Sequence, residues 1–545
     1  MKGRIIYLLL LLSIPALSQE KLTVVQQAMR DEMDRNMKEL KAEGFDRPFF
    51  INYSLFDYHQ VGIVATLGAL VNSVETDNRI ALSIRLMVGD YEFNDESLDN
   101  NLFSQPQANE ISLPLGDDYL GIRRSLWVST DNVYRNASRQ FAKNKEMLKE
   151  QNKPLAELPH RSFAKVPPSK IDIALPEFKF DKAATEDYVR KLSAVFAEYS
   201  AIDESNVSFS FRYGYRYLVN SEGSINRIPD LRVTLTVGAA LRTPEGEFVV
   251  DNIQHSYPTP ELPPIETMTA EVKAMADHMI SSISSPTFKE EYSGPVLFYG
   301  RPLAELLVTQ LFFGEEGLAA NNNIQSLTGY RYESSSLDSK IGKPVFAEGM
   351  TVKAMPKLKK YGEVALLGSF QADGEGVVPA DETVLVENGV LKTLMNDRTI
   401  VKAGQVANGL GDGPGVTSIS FSTTIPAADL KAKLIGQAKK EGLEYALMVK
   451  NSIGGDLRFV DVYKVYVDDG HEELLRQASM KGMSQRAFKK ISDVSKEISV
   501  HNLMRRGSDM SVICPEAMLF SEVEFKSTGF PTMKEEQYVP SPLKK

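Results

Sequence analysis

This chain cannot form an internal disulfide, so the burial of apolar side chains has to stabilise its fold. Its 545 residues include a single cysteine, Cys514. Cys514 follows Val512 and Ile513 in an apolar run typical of a strand, which predicts a small buried side chain rather than a reactive nucleophile. Because single hydrophobic cores stop growing near ~250–300 residues, a chain of this length is expected to form two large domains.

The first 18 residues have the pattern of a secretory signal peptide. Two basic residues, Lys2 and Arg4, precede the apolar run Ile5 to Leu12, and small residues precede a cleavage site after Ser18. The run is shorter than the roughly 20 apolar residues that a membrane-spanning helix needs. We therefore expect the signal peptide to be removed, no transmembrane anchor to remain, and the mature protein to be periplasmic or secreted.

The composition argues against a nucleic-acid partner. The net charge is −10, and the lysines and arginines form no basic block. Phosphate binding needs clustered basic side chains. An ordinary globular protein, with 43% hydrophobic and 25% charged residues, is the expectation.

A change of pattern near Ser284 to Gly294 predicts the boundary between the two domains. Upstream, helical and alternating patterns follow one another; downstream, glycines and short strand patterns become dense. We predict an α+β fold with a signal peptide over residues 1–18, a mixed α/β N-terminal domain over residues 19–285 and a β-rich C-terminal domain over residues 290–545.

Several segments carry clear secondary-structure signals. Arg79 to Val88 places apolar residues at every second position, which predicts a strand with one buried face. Phe49 to Ser54 and Val61 to Val71 are two further candidate strands, and Trp127 to Lys149 predicts a long polar helix.

Two local motifs predict ends of elements in the C-terminal half. Asn388-Gly389 lies between two strand-like runs and predicts a tight hairpin. Asp429 is the expected N-cap of a helix over Leu430 to Lys440, which Gly442 would end.

The sequence contains no local motif for nucleophilic, nucleotide or metal chemistry. The runs G-x-S-x-G, G-x-x-x-x-G-K-[ST] and G-x-G-x-x-G do not occur. The six histidines are scattered, with no close pair of the kind that zinc proteases place on one helix. His278 falls off the apolar stripe of its helix and is expected at the surface. We predict no catalytic residue and no metal ligand in this chain.

Asp373 and Glu375 are the strongest local pair of carboxylates and the candidate residues of a cleft. In Asp373-Gly374-Glu375-Gly376, alternate side chains would share a face if the segment were extended, which would suit acid–base work. Asp and Gly are also typical turn residues, so a tight loop is the stronger expectation.

Short motifs in a fixed order occur in both halves. In the C-terminal half they are Gly294 to Phe298, Ala304 to Leu307, Gly368 to Phe370, Asp373 to Val377, Leu385 to Lys392 and Asp397-Arg398. In the N-terminal half they are Arg85 to Tyr91, Trp127 to Ala137 and Val219 to Gly223. Together they resemble the TldD/PmbA family of metallopeptidases, once called modulators of DNA gyrase, over nearly the whole mature chain.

The resemblance implies two-domain subunits that pair with homologues. A TldD-like subunit carries a His-Glu-x-x-x-His zinc motif on the helix after the Gly-Pro-Val-Leu-Phe strand and cleaves unfolded peptides. A TldE-like (PmbA-like) subunit lacks the motif and completes the assembly.

In this chain the motif positions fall near Val308, Thr309 and Phe313, and none of these side chains can replace a histidine ligand or a general base. Glu305, the remaining carboxylate of this helix, is expected to be a solvated residue. The resemblance therefore implies zinc only in a partner subunit.

Three functions stay open at this point. The favoured one is a non-catalytic, TldE-like subunit that assists a zinc-bearing, TldD-like homologue in cleaving unfolded peptides. The second is an active peptidase with atypical ligands, such as His471 with distant carboxylates. The third is a non-enzymatic envelope protein that binds peptide or glycan.

Overall fold

A computed structural model describes residues 22–98, 107–243, 246, 248–314, 317–320, 337–402, 404–452, 460–483, 485–505, 508–527, 539 and 542. The predicted signal peptide lies outside these residues. Among the helices within these ranges, none is long and apolar enough to cross a membrane.

The N-terminal half is built on one seven-stranded sheet in which long hairpins pair side by side. Its strand order is β3-β2-β1-β6-β7-β5, and β8 also pairs with β7. The strands are β1 (Pro48–Thr66), β2 (Ala69–Val88), β3 (Gln107–Ser112), β5 (Lys170–Asp172), β6 (Glu204–Asn220), β7 (Ile225–Arg242) and β8 (Phe248–Tyr257), while β4 (Ser162–Phe163) lies outside this sheet.

The structure corrects one strand prediction in this sheet. Val61 to Val71 is not a single strand, because the chain turns at Leu67 and Gly68, whose φ angles are 48° and 84°. Val61 therefore belongs to β1, which is continuous with the candidate strand at Phe49, and Val71 belongs to β2. The predicted alternating strand Arg79 to Val88 is confirmed as the second half of β2.

Within the described residues, four helices pack against this sheet. Helix α2 is longer than predicted, because Asp118 accepts a hydrogen bond from the amide of Gly121 at 2.9 Å and so caps its start. Two cores result, one beneath α1 and α2 and the other beneath α3 and α4. The helices are α1 (Val24–Glu39), α2 (Tyr119–Gln151), α3 (Lys182–Ala194) and α4 (Ile265–Ser282).

The C-terminal half contains two six-stranded sheets. Their orders are β14-β13-β10-β16-β22-β21 and β19-β18-β17-β9-β23-β20. The strands are β9 (Tyr292–Tyr299), β10 (Met350–Ala354), β11 (Lys360–Tyr361), β12 (Val364–Ala365), β13 (Thr383–Glu387), β14 (Val390–Leu391), β15 (Thr399–Ile400), β16 (Val416–Phe421), β17 (Tyr445–Ser452), β18 (Val460–Tyr466), β19 (Glu472–Met480), β20 (Ile491–Val494), β21 (Ile498–Arg505), β22 (Ser508–Pro515) and β23 (Ala517–Ser527).

In the described part of this half, three helices accompany the sheets: α5 (Gly300–Leu306), α6 (Ala427–Lys440) and α7 (Gln485–Lys489). Helix α5 shares one large core with both sheets, because its apolar side chains pack with Phe298 of β9 and Val352 of β10. Cys514 is also buried in this core, as the apolar run predicted. The elements of both halves confirm an α+β fold.

The structure confirms the hairpin predicted at Asn388-Gly389. The helix predicted to start at Leu430 begins about one turn earlier. Strands β13 and β14 pair across Asn388 and Gly389, whose φ angles are 48° and 79°. Helix α6 begins at Ala427 rather than after Asp429, and the amide of Ala427 donates to Glu497 at 2.8 Å. A partner distant in sequence therefore satisfies the helix start that Asp429 was expected to cap.

Two glycine substitutions test the turn geometry. Gly389→Ala should destabilise the protein by about 1–3 kcal/mol, because φ is positive and a Cβ atom would come within 2.7 Å of the Ala347 carbonyl oxygen. Gly436→Ala in α6 should stabilise it by about 0.5–1 kcal/mol, since a Cβ there meets nothing within 4 Å. Urea unfolding measures both; equal effects of the two substitutions would contradict the assigned turn.

Candidate functional site

The helix that carries the motif positions is apolar and buried. Helix α5 continues into a π-helical turn, Leu307–Phe312, a local geometry that is frequent at functional sites. Val308 is 2% exposed. The Thr309 hydroxyl donates to the Glu305 carbonyl at 2.8 Å, so it is used within its own helix. Phe313 packs against Gly413 of a neighbouring loop.

Glu305 is not the solvated residue that the sequence predicted. It is 4% exposed, and its carboxylate accepts a hydrogen bond from the Arg301 guanidinium at 2.8 Å. Burial of a carboxylate is tolerated when it is paired in this way. Glu305 therefore pairs with Arg301 one turn earlier on the same helix.

These side chains do not fit a zinc ion. Catalytic zinc sites use three protein ligands from histidine, cysteine or carboxylate side chains, whereas the motif positions supply an aliphatic, a hydroxyl and a phenyl group. Within the described part of the chain, no group of three or more such ligand side chains could hold a metal ion.

His471 and His278 each bond a carboxylate that lies outside the motif helix. His471, proposed as an atypical ligand, is exposed in a hairpin turn and bonds Asp469 at 2.6 Å. His501 lies in β21, where burial lowers its pKa to about 4. His278 was expected at the surface, but it is partly buried against Asp461 of β18, which lies 183 residues away in sequence.

The structure confirms the tight loop expected around Asp373. The Asp373 carboxylate accepts hydrogen bonds from the amides of Glu375 and Val377 at 3.0 and 2.8 Å. Gly376 turns the chain with φ of 82°. The amide of Gly374 donates to Asp412 at 2.7 Å, which brings a second carboxylate beside the loop. Burial raises the pKa of Asp373 to about 8, and the charges of Glu375 and Asp412 act in the same direction.

Glu375 points from this loop into a network of charges between the two halves. Its carboxylate accepts hydrogen bonds from the Arg85 guanidinium of β2 and, at 3.1 Å, from the amide of Arg398. Arg85 also binds Glu96 at 2.6 Å. Although burial opposes its charge, these two carboxylates raise the pKa of Arg85.

Arg398 is the most deeply buried member of the network, with 0% exposure. Its guanidinium donates to the carbonyl of Ala164 at 2.6 Å and to Glu222 at 2.7 Å. It also lies 4.0 Å from the centre of the Phe163 ring. Ala164 and Phe163 belong to a connector of the N-terminal half in which β4 pairs with β15 of the C-terminal half. Arg398 thus connects segments of the two halves that lie far apart in the sequence.

A cavity of about 380 Å³ opens beside the Asp373 loop. The N-terminal half contributes Arg216 and Arg232, and the C-terminal half contributes Phe370, Asp373 and Asp412. Arg232 also binds Asp509 across the junction at 2.9 Å. Asp373 therefore lines the cavity, whereas Glu375 is used in the neighbouring ion-pair network.

The important residues that sequence reasoning missed are Arg85, Glu222 and Arg398. Each lies within a short motif that carried the family resemblance, and the structure brings these motifs together at one junction. The motifs were the available signal for the site, but their contacts span up to 290 residues of sequence, which no local pattern encodes.

Comparisons with known proteins agree on one family and one fold. Residues 316–533 match the PmbA/TldA metallopeptidase C-terminal domain. A metalloprotease of Methanothermobacter thermautotrophicus is 37% identical over 86 residues, which are 15% of this chain and 17% of that protein. The aligned part is thus a small share of that relative.

Two solved structures share the fold over almost their full length. TldE from Thermococcus kodakarensis is 13% identical, with a TM-score of 0.52, over 92% of this chain and 100% of that one. A proposed modulator of DNA gyrase from Bacteroides thetaiotaomicron is 11% identical, with a TM-score of 0.58, over 92% of this chain and 98% of that one. At such low identity these likenesses concern the fold.

Removal of the buried guanidinium should be costly. Arg398→Met is expected to lower the free energy of unfolding by about 3–5 kcal/mol, because Glu222 would stay buried without its cation. Arg135→Met is the matched control, since that guanidinium is exposed and pairs with Asp131 within one helix. Denaturant unfolding that finds both variants as stable as the parent would contradict the role given to Arg398.

Asp373 predicts a specific pH dependence of stability. Its folded pKa of about 8 exceeds the model-peptide value of 3.8, so the protonated carboxyl favours folding at low pH and this contribution is lost as the pH rises towards 8. Asp373→Asn keeps an oxygen acceptor for the two amides and loses the titration. Relative to the parent, this variant should gain at least about 1 kcal/mol between pH 5 and pH 8.

Thermal or urea unfolding across this pH range checks the prediction. Asp468→Asn, in an exposed turn, is the control and should follow the parent profile. Parallel profiles for the parent and Asp373→Asn would show that burial does not perturb this carboxyl.

Proposed function

Because the chain belongs to the TldD/PmbA family, we propose that it is an exported, non-catalytic, TldE-like subunit that assists a zinc-bearing homologue in peptide proteolysis. The proposal rests on one observation: the side chains at the motif positions of this helix are not zinc ligands. Val308 and Phe313 occupy places where a zinc-bearing relative would need imidazole groups.

The packing of this helix supports a structural rather than a chemical role. A catalytic zinc needs an open position for water or substrate. Here Leu307, Val308, Leu311 and Phe312 are all at most 2% exposed and belong to the main core of the C-terminal half. Side chains packed in this way stabilise the helix and leave no polar group to activate water.

The cavity beside Asp373 supports peptide binding as the retained contribution of this subunit. Its walls carry cations, carboxylates and the aromatic ring of Phe370. Ligand sites typically combine an apolar lining with a few polar groups of this kind. An unfolded peptide offers amides, charged ends and side chains for such a surface. The substrate would then be shared between this cavity and the metal of the partner.

The proposal predicts different zinc contents and different peptidase activities for this chain alone and for its complex with a homologue. The mature chain purified alone should contain well under one zinc ion per chain by elemental analysis and should not cleave denatured casein. Mixed with a TldD-like homologue from the same genome, it should form a stable complex whose cleavage of the same substrate stops on chelation.

A matched control assigns the chemistry to the partner. Substitution of the motif glutamate by glutamine in that homologue should leave the complex assembled and abolish cleavage. One tightly held zinc and chelator-sensitive hydrolysis by the lone chain would contradict the proposal. Peptide binding by the lone chain, with no association in the mixture, would favour the non-enzymatic binding protein instead.

A further inference from the structure

A second cavity, of about 460 Å³, lies elsewhere on the junction between the two halves. Strand β8 and helix α4 of the N-terminal half line it, together with the start of α5 and the end of β17 in the C-terminal half. His278 projects into it from the last turns of α4. This cavity therefore lies at the beginning of the motif helix. Phe313, which packs against Gly413, is at the other end of the helix.

His278 makes its polar contacts across the junction. Its Nε2 atom lies 3.4 Å from the Asp461 carboxylate of β18 and 3.4 Å from the side-chain amide of Asn451 on β17. Asp461 is 7% exposed, so water screens this pair weakly. Asp251 of β8 interacts with both His278 and Asp461.

Protonation of His278 and of Asp251 favours the folded contacts of this cavity. The hydrogen bond to Asp461 raises the pKa of His278 above its usual value. Burial raises the pKa of Asp251 to about 6. Both folded-state pKa values exceed the unfolded ones, so the stabilisation is complete at low pH and is lost as the pH rises through them.

The remaining charged groups of the cavity form their ion pairs within their own half. Arg301 binds Glu305 at 2.8 Å, and Lys450 binds Glu472 at 2.8 Å. His255 binds Glu271 at 2.7 Å, and both residues belong to the N-terminal half. Lysine and arginine keep their charge up to pH 8. The titratable group of this cavity that bonds a carboxylate across the junction is therefore His278.

Other contacts across the junction rely on arginine. Arg398 binds Glu222, Arg85 binds Glu375, and Arg232 binds Asp509. An arginine cation cannot be lost at any physiological pH. These contacts can hold the two halves together while the contacts around His278 respond to pH.

We propose that the His278–Asp461 pair is a pH-sensitive clasp, which holds α4 against β17 and β18 in mildly acidic solution and releases them as the solution becomes alkaline. Arg301, in the first turn of α5, donates to the carbonyl of Gln254 in the same cavity at 3.1 Å. Release of the clasp would therefore loosen the attachment of the motif helix to the N-terminal half. The clasp is independent of the proposed proteolytic role.

Hydrogen exchange of the purified mature chain tests the clasp without any partner or substrate. After correction for intrinsic exchange, protection of α4 amides should fall between pH 5.5 and pH 8 relative to the amides of α2, since loss of a proton at the junction weakens the contact that holds α4. His278→Gln should remove this extra pH dependence. His278→Lys keeps a positive charge and should retain protection at pH 8.

Two further variants keep the test decisive. Asp461→Asn removes the acceptor charge without changing α4 and should also reduce the pH dependence of α4 protection. His471→Gln, in an exposed turn, should behave as the parent. The clasp is refuted by a flat parent profile, by a His278→Gln profile like that of the parent, or by an equal flattening in His471→Gln.

Discussion

The arrangement of the two halves depends on a guanidinium group that is buried where they meet. Burying an ion is costly unless every charge and donor finds a partner. The charge of Arg398 is compensated by the Glu222 carboxylate, the Ala164 carbonyl and the face of Phe163. These partners come from two separate segments of the N-terminal half, so one buried cation holds both segments against the C-terminal half.

The need of buried charges for partners that are distant in sequence limits what the sequence could predict about the fold and the site. Arg79 to Val88 and Asn388-Gly389 were predictable because period-two burial and positive φ are local properties. The loop at Asp373 followed from turn chemistry in the same way. The solvated state expected for Glu305 and the exposed state expected for His278 were wrong, because the partner of each residue depends on packing that a helical period does not report. The boundary after residue 285 stays a prediction.

The two cavities at the junction are lined by different kinds of charged side chains. Beside the first, arginines pair with carboxylates, and Asp373 keeps a proton that an exposed aspartate would lose. Beside the second, an imidazole faces buried carboxylates. The motif helix runs from the second cavity, at Arg301, towards the loop that adjoins the first, at Phe313. The leucine and phenylalanine side chains that pack this helix are not metal ligands.

We propose that the motif helix of this chain is a packing element and that the metal is bound by another subunit. Anomalous X-ray diffraction at the zinc edge, from crystals of the chain together with a TldD-like homologue, tests it most directly. The account predicts a zinc peak at the motif of the homologue and no peak within coordination distance of residues 300–313 of this chain. A zinc peak coordinated by this chain would contradict it.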